Sequence, residues 1–286
     1  MKVSWKQLMV GALAALLVAP LAFAVPQSQS QGQPPAKPPV QPGQTPAQPP
    51  ATTPAQPETP PVNAKEEADY KLFFELPKAD SQRVIEMGED FVKKYPESRY
   101  REAIYSRMVN SYLNLDQVDK MFVTGEKALE INPNNVDVLS AVTWAVPRRL
   151  TPTDLDAQQK LAKVEGYGKK AIDIITAMPK PEMLTEEDFT KAKSEKLAMV
   201  HSGLGVVHWH RQKFADMATE LEEAIKLSAA ADPVDYYLLG MAYKQTRRWS
   251  DAATAFEKCS EAGPVTDRCK GEAQAAKKNA AATPKP

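Results

Sequence analysis

This chain has little with which to do chemistry. Its 286 residues hold two cysteines and three histidines, and neither cysteine has a histidine close in sequence to activate it as a nucleophile. There is no phosphate loop, no Gly-rich strand-to-helix turn, no Gly-x-Ser-x-Gly elbow and no metal-binding His-Glu pair. The acidic runs at Glu186 to Asp188 and at Glu222-Glu223 fit helix capping and solvated faces. The histidines, His201, His208 and His210, fall in one helical stretch, where positions seven apart stand about 10.5 Å apart along the axis, too far for one ion. They are expected to be core or groove residues. The expected catalytic, cofactor-binding and metal-ligating sets are therefore all none, and the chain is read as not an enzyme. Excess charge is missing too: 36 basic residues balance 36 acidic ones, which leaves nothing to drive counterion release from a nucleic acid. No segment alternates strictly between apolar and polar residues, and no Asn-Gly or Asp-Gly pair lies between β-branched runs, so no sheet is expected.

The first 24 residues form a separate segment. Lys2 and Lys6 precede an apolar stretch from Leu8 to Ala19, then Pro20 and Ala22-Phe23-Ala24. That order is the charged start, apolar middle and small-x-small end of a secretory leader, with cleavage expected after Ala24. An uncleaved anchor is the other reading, because the apolar run to Val25 just reaches bilayer-spanning length, but Pro20 and the Ala-Phe-Ala triplet have no purpose there. The segment has no cysteine to carry a lipid. The protein is thus expected to be exported, to the periplasm or beyond the cell, with no stable membrane insertion once the leader is gone. Residues 25–63 contain 13 prolines and 8 glutamines, almost no charge and no aromatic ring. Such a stretch buries too little apolar area to offset chain entropy and is expected to be a disordered, extended linker. It reads as a passive spacer or, at Pro34-Pro35-x2-Pro38-Pro39, as a ligand for a proline-binding groove.

What the chain has in quantity is a recurring order of large, small and helix-ending residues. It is clearest as Tyr236-x2-Leu239-Gly240-x2-Tyr243, then Ala252-x3-Phe256, then Pro264. Gly240 and Ala252 remove bulk where two antiparallel helices meet, which allows axes about 8–10 Å apart. Tyr236 and Tyr243 lie on the stripe of Leu239, and Phe256 fills the layer from the other helix. Asp232-Pro233 marks a start and Gly263-Pro264 a left-handed stop. One period upstream stand Leu204-Gly205-x2-His208, then Met217-x3-Leu221-x2-Ala224. Tyr105-x2-Met108 with Tyr112, Ala128 and Pro133 repeats the order again, with Val109 in the small position, so that pair should sit wider. Residues 136–178 lose the period around Pro147 to Asp156 and resume at Gly168-x2-Ala171. Capping sequences predict helix starts near Thr151-Pro152-Thr153-Asp154 and Thr185-Glu186-Glu187-Asp188.

This pattern resembles the tetratricopeptide repeat (TPR), a helix-turn-helix unit of about 34 residues. The resemblance implies an all-α fold: a right-handed α-solenoid of about five TPR-like repeats over residues 64–264, a capping helix at 265–279 and a disordered tail at 280–286. It also implies that first helices line a concave groove for a peptide or partner helix. The expected groove residues are Arg107, Asn110, Asn114, Trp144, Arg148, Val206, Trp209, His210, Tyr237, Met241 and Lys244, rings supplying area and polar groups holding a ligand backbone. The alternative places Trp144 and Trp209 between helices. Cys259 and Cys269 stand symmetrically about Pro264 and so at one height in an antiparallel pair; they form a disulfide, or Cys259 fills a small-residue position and Cys269 is unpaired. Two functions follow: an envelope adaptor that binds other proteins through the groove, or a structural spacer whose proline-rich arm makes the contact.

Overall fold

Capping chemistry sets the helix boundaries. In the computed structural model, which describes residues 63–282 apart from 152 and 262, Asp232 accepts from the Val234 N–H at 2.8 Å ahead of Pro233. Thr185 accepts from the Asp188 N–H at 3.1 Å and donates to its carboxylate at 2.7 Å, satisfying an orphan donor of the first turn. The leader expected at 1–24, the proline-rich segment except Asn63, and residues 283–286 lie outside the described residues.

Eleven helices are described: α1 (Ala64–Phe74), α2 (Ser81–Lys94), α3 (Arg101–Asn114), α4 (Val118–Ile131), α5 (Val136–Arg149), α6 (Ala157–Ala177), α7 (Glu186–His210), α8 (Phe214–Leu227), α9 (Pro233–Gln245), α10 (Trp249–Cys259) and α11 (Thr266–Ala282). There is no strand among the described residues. The helices pack as consecutive pairs with α11 against α10. Two expected boundaries are corrected. The Thr151 to Asp154 segment folds into a turn, its Thr151 N–H bonded to the Asp154 carboxylate at 2.6 Å, and α6 begins only at Ala157. The last helix runs to Ala282, so the first residues assigned to the tail are helical.

The repeat is visible in its contacts. Gly240 of α9 lies against the Phe256 ring of α10, and one period earlier Gly205 of α7 lies against Leu221 of α8. Three pairs share one turn: Asp116, Gln212 and Arg247 all adopt left-handed φ of 57 to 60°. The next N–H then bonds back to the carbonyl of Tyr112, His208 or Tyr243 at 2.8–3.0 Å, as in a Schellman cap. In the first half of the stack the small residue moves to the second helix. Gly88 of α2 faces Met108, Gly125 of α4 faces Val138 and Val142, and Gly168 of α6 faces Leu204. Val109 is thereby accommodated, since Gly125 leaves room for its methyl group.

The core is a seam in two stretches, Phe73 to Val207 and Val206 to Ala276, that meet on α7. Where the repeat period is lost around Pro147, α5 itself continues through the proline to Arg149. Pro147 has no N–H for the carbonyl of Thr143. That carbonyl is where α7 comes closest: a Cβ on Gly203 would collide with Thr143 O and the Trp144 backbone. At the far end Cys259 and Cys269 are both fully buried and disulfide-bonded, Cα atoms 5.9 Å apart, which staples α11 to α10. Closing so short a loop stabilises by about 2–3 kcal/mol.

Gly203→Ala should cost about 2 kcal/mol or more, because the clash is with backbone and outweighs the gain in helix propensity. Gly166→Ala, on an open face of α6 with nothing near, should stabilise by up to about 1 kcal/mol. Urea midpoints for both variants check the contrast.

Candidate interaction face

The first helices of the pairs were expected to present a continuous binding surface. In the structure most of that surface from α5 to α9 is closed by its own side chains. Arg148 is 5% exposed and lies inside the stack. One guanidinium nitrogen donates to the Trp144 carbonyl at 2.6 Å, and the other donates to the Ser202 hydroxyl at 2.6 Å. Ser202 in turn donates to Asp235 Oδ1 at 2.5 Å, and Arg148 stands 3.5 Å from the same oxygen. This relay ties α5, α7 and α9 together. A buried guanidinium keeps its proton, and the oxygens of Trp144, Ser202 and Asp235 take the place of water around it. The expected groove role of Arg148 is corrected accordingly: its charge is consumed internally.

Tyr237 is corrected in the same way. It is 7% exposed, with its ring 5.9 Å from that of Phe256 and Arg268 of α11 over its face at 5.5 Å. It takes the packing position that had been assigned to Tyr236, which is half-buried at the rim. A modest rotation of α9 about its axis exchanges the two neighbours. His210 donates from Nε2 to the Pro147 carbonyl at 2.7 Å, and Lys244 is paired with Glu272 of α11 at 2.6 Å. Trp144 is half-buried under Arg148, 4.6 Å from the ring, and Trp209 is half-buried edge-on to Phe214. Val206 is fully buried and Met241 half-buried.

The open part of the surface lies at the other end, on α1 and α3. Asn110 and Asn114 are exposed there, the latter bonded to Ser81 at 3.2 Å. Arg107 reaches back to donate to the carbonyls of Phe73, Phe74 and Leu76, capping the end of α1. Its guanidinium also lies 5.1 Å over the Phe73 ring. Beside it are three rings that the sequence pattern did not single out. Tyr70 stacks flat on Tyr100, centroids 3.8 Å apart, and Phe74 follows one turn along α1, 6.2 Å from Tyr70 and 67% exposed. Glu67 accepts from Tyr100 at 2.7 Å and from Arg99 at 2.6 Å, which holds the Tyr100 ring in place. The signal was present as Tyr70 and Phe74 at i and i+4 beside the adjacent pair Phe73-Phe74, only one of which can face inward.

Electrostatics agree with closure elsewhere. Burial pushes the Asp235 carboxyl up to about 6, against the pull of Arg148 and Ser202. Burial also lowers His208 and His210. His208 occupies the turn position held by Tyr112 and Tyr243, whose hydroxyls donate to Glu89 and Glu222 on the preceding helices at 2.5 and 2.6 Å. Its buried Nδ1 has no partner among the described residues. Nor do the described residues contain a His, Cys, Asp or Glu cluster suited to a metal, or a helix long and apolar enough to cross a membrane.

These contacts define an all-α stack of paired helices with small-for-large packing between them, the architecture that the resemblance to the tetratricopeptide repeat implies. No family model matches the chain, and no curated protein matches it. Among solved structures it is similar to PilW, described as a type IV pilus biogenesis factor, at 17% identity over 77% of this chain and 92% of that one, with a TM-score of 0.49. It is also similar to BtubC from P. vanneervenii, at 19% identity, 77% and 90% coverage and a TM-score of 0.43. A third is a thermophilic TPR protein from Thermus thermophilus, at 16% identity, 74% and 98% coverage and a TM-score of 0.39.

Two outcomes test the closed seam. Because the folded-state pKa of Asp235 lies above its ordinary 3.8, the folded state holds that proton more tightly than the unfolded state. Its stabilising effect is complete below about pH 4 and is lost as pH rises through 6. Relative to Asp235→Asn, which does not titrate, the unmodified protein should lose up to about 3 kcal/mol between pH 4 and 7, read from denaturant curves at several pH values. Replacing His208→Tyr removes the unpartnered nitrogen and supplies a hydroxyl as in the two other turns; a gain of about 1 kcal/mol is expected by the same measurement.

Proposed function

We propose that this protein is a non-enzymatic interaction scaffold, exported to the cell envelope, that receives an extended peptide or a partner helix on the exposed first-helix surface of α1 and α3. The observation that carries the reading is the contrast along the stack. From α5 to α9 the polar side chains serve each other, whereas at the α1 end a solvated aromatic ring adjoins a tyrosine stack, and α3 carries an exposed amide at Asn110. Rings supply contact area with little rotamer entropy to lose, and an amide such as Asn110 can pair with a ligand backbone. The leader read in residues 1–24 supports export. So does the buried Cys259–Cys269 disulfide, a bond that persists in oxidising compartments.

A second reading, a rigid spacer that only positions the proline-rich arm, is favoured by the locked seam and the stapled α11. Photocrosslinking separates the two. A benzophenone side chain at Asn110 should capture envelope proteins, and Phe74→Ala should cut that capture at least fivefold while Trp209→Ala leaves it unchanged. Capture only from probes in the arm would establish the spacer instead. Intact mass of the protein recovered from the envelope fraction should correspond to a chain starting at Val25.

A further inference from the structure

We propose that a small zwitterion with an apolar body, of the chemical class of an aliphatic α-amino acid, binds in a cavity between α4 and α6, its ammonium on Glu130 and its carboxylate on Lys170. The site lies among the second helices of the pairs and does not depend on the reading of the α1 and α3 surface.

Across the stack α4 and α6 are tied by a ladder of ion pairs whose positions advance together along both helices. Lys160 of α6 bonds to Asp119 of α4 at 3.0 Å, and further along Lys163 pairs with Glu126. Glu130 stands four residues beyond Glu126, and Lys170 stands seven beyond Lys163, so both lie on the facing stripes and supply the residues of a third rung. That rung is open. Neither Glu130 nor Lys170 has a hydrogen bond or an ion pair among the described residues, and Glu130 acts on Lys163 and Tyr167 only through space. Both line a cavity of about 290 Å³.

The other walls say what fits there. Leu129 and Leu139 are buried, and together with Pro133 they present an apolar surface to the cavity. The Tyr167 hydroxyl stands 3.5 Å from Glu126 Oε1, and burial, aided by that carboxylate, raises the phenol so that it keeps its proton. Glu126 is thus already served by Lys163 and Tyr167. What remains unmet around the cavity is one carboxylate and one ammonium. A lone cation or a lone anion would answer only one of them, whereas a molecule carrying both signs forms a charge-assisted bond with each. The volume falls at the lower edge of the range of about 300–1,000 Å³ for small-molecule sites, which limits the ligand to roughly one amino acid, with its aliphatic body against the two leucines. Once bound, it would complete the third rung and tie the α3–α4 pair more firmly to the α5–α6 pair.

The test follows amide NMR spectra of the full chain as L-leucine is added. Saturable shifts are expected within residues 126–133 and 167–170. Leucinamide, which lacks the carboxylate, and N-acetyl-leucine, which lacks the ammonium, should each bind about tenfold more weakly. Glu130→Gln and Lys170→Gln should each weaken leucine by a similar factor, and because both residues reach solvent without partners, the variants are expected to fold. Phe74→Ala, on the aromatic face, should leave leucine binding unchanged. Equal affinity for either singly charged analogue would overturn the zwitterion. So would shifts that survive both glutamine variants, or the absence of saturable shifts through the millimolar range.

Discussion

The contact between Gly203 and the Thr143 carbonyl is the constraint on which the rest of this stack depends. Pro147 deprives that carbonyl of its helical partner, and the absence of a side chain at Gly203 lets the α7 backbone come up against it. With α5 and α7 so close, Arg148 has no route to solvent, and the oxygens of Ser202 and Asp235 solvate it in place of water. The burial of α7 from Ala198 to His208 follows, and with it the joining of the two stretches of core. A polar relay in that position favours one register of three helices over others, because a slip of one residue would strand a buried ion.

That choice decides where the molecule can meet other molecules. Cations on first helices are used repeatedly to satisfy carbonyls at helix ends: Arg107 at α1, Arg148 at α5, and Lys193 at Thr176 of α6. Each such contact places a positive group at the negative end of a helix dipole and removes it from any ligand. The surface left over is governed by the first pair, which has no preceding pair among the described residues to cover its aromatic residues. An interaction face at one end of the stack is thus a by-product of how the middle is closed.

Much of the fold was legible in the sequence because the repeat is written in volume. Gly205 and Gly240 pair with Leu221 and Phe256 as the spacing implies, and the caps at Thr185 and Asp232 start helices where capping chemistry puts them. The candidate surface was far less legible. Tyr236 and Tyr237 differ by a 100° step on the helix, and a rotation too small to see in a one-dimensional pattern decides which of them is inside. Arg148 carries no mark of burial in its local sequence, since Ser202 and Asp235 are contributed by helices far along the chain. Thr151 and Asp154 bonded to each other rather than to a helix, a competition that short polar side chains commonly win in turns. At α1 the departure from consensus concealed the rings of Tyr70 and Phe74.

The cystine gives the stack mechanical polarity. Tension entering through the residues ahead of Asn63 would load the first helix pair, which is held by surface ion pairs such as Arg99 with Glu67 and by the Arg107 cap. The opposite terminus is covalently riveted. Peeling would therefore start at one extremity, advance pair by pair and stall at the helices bearing Arg148 and Asp235. A stack riveted at one end gives way gradually under load instead of rupturing at once.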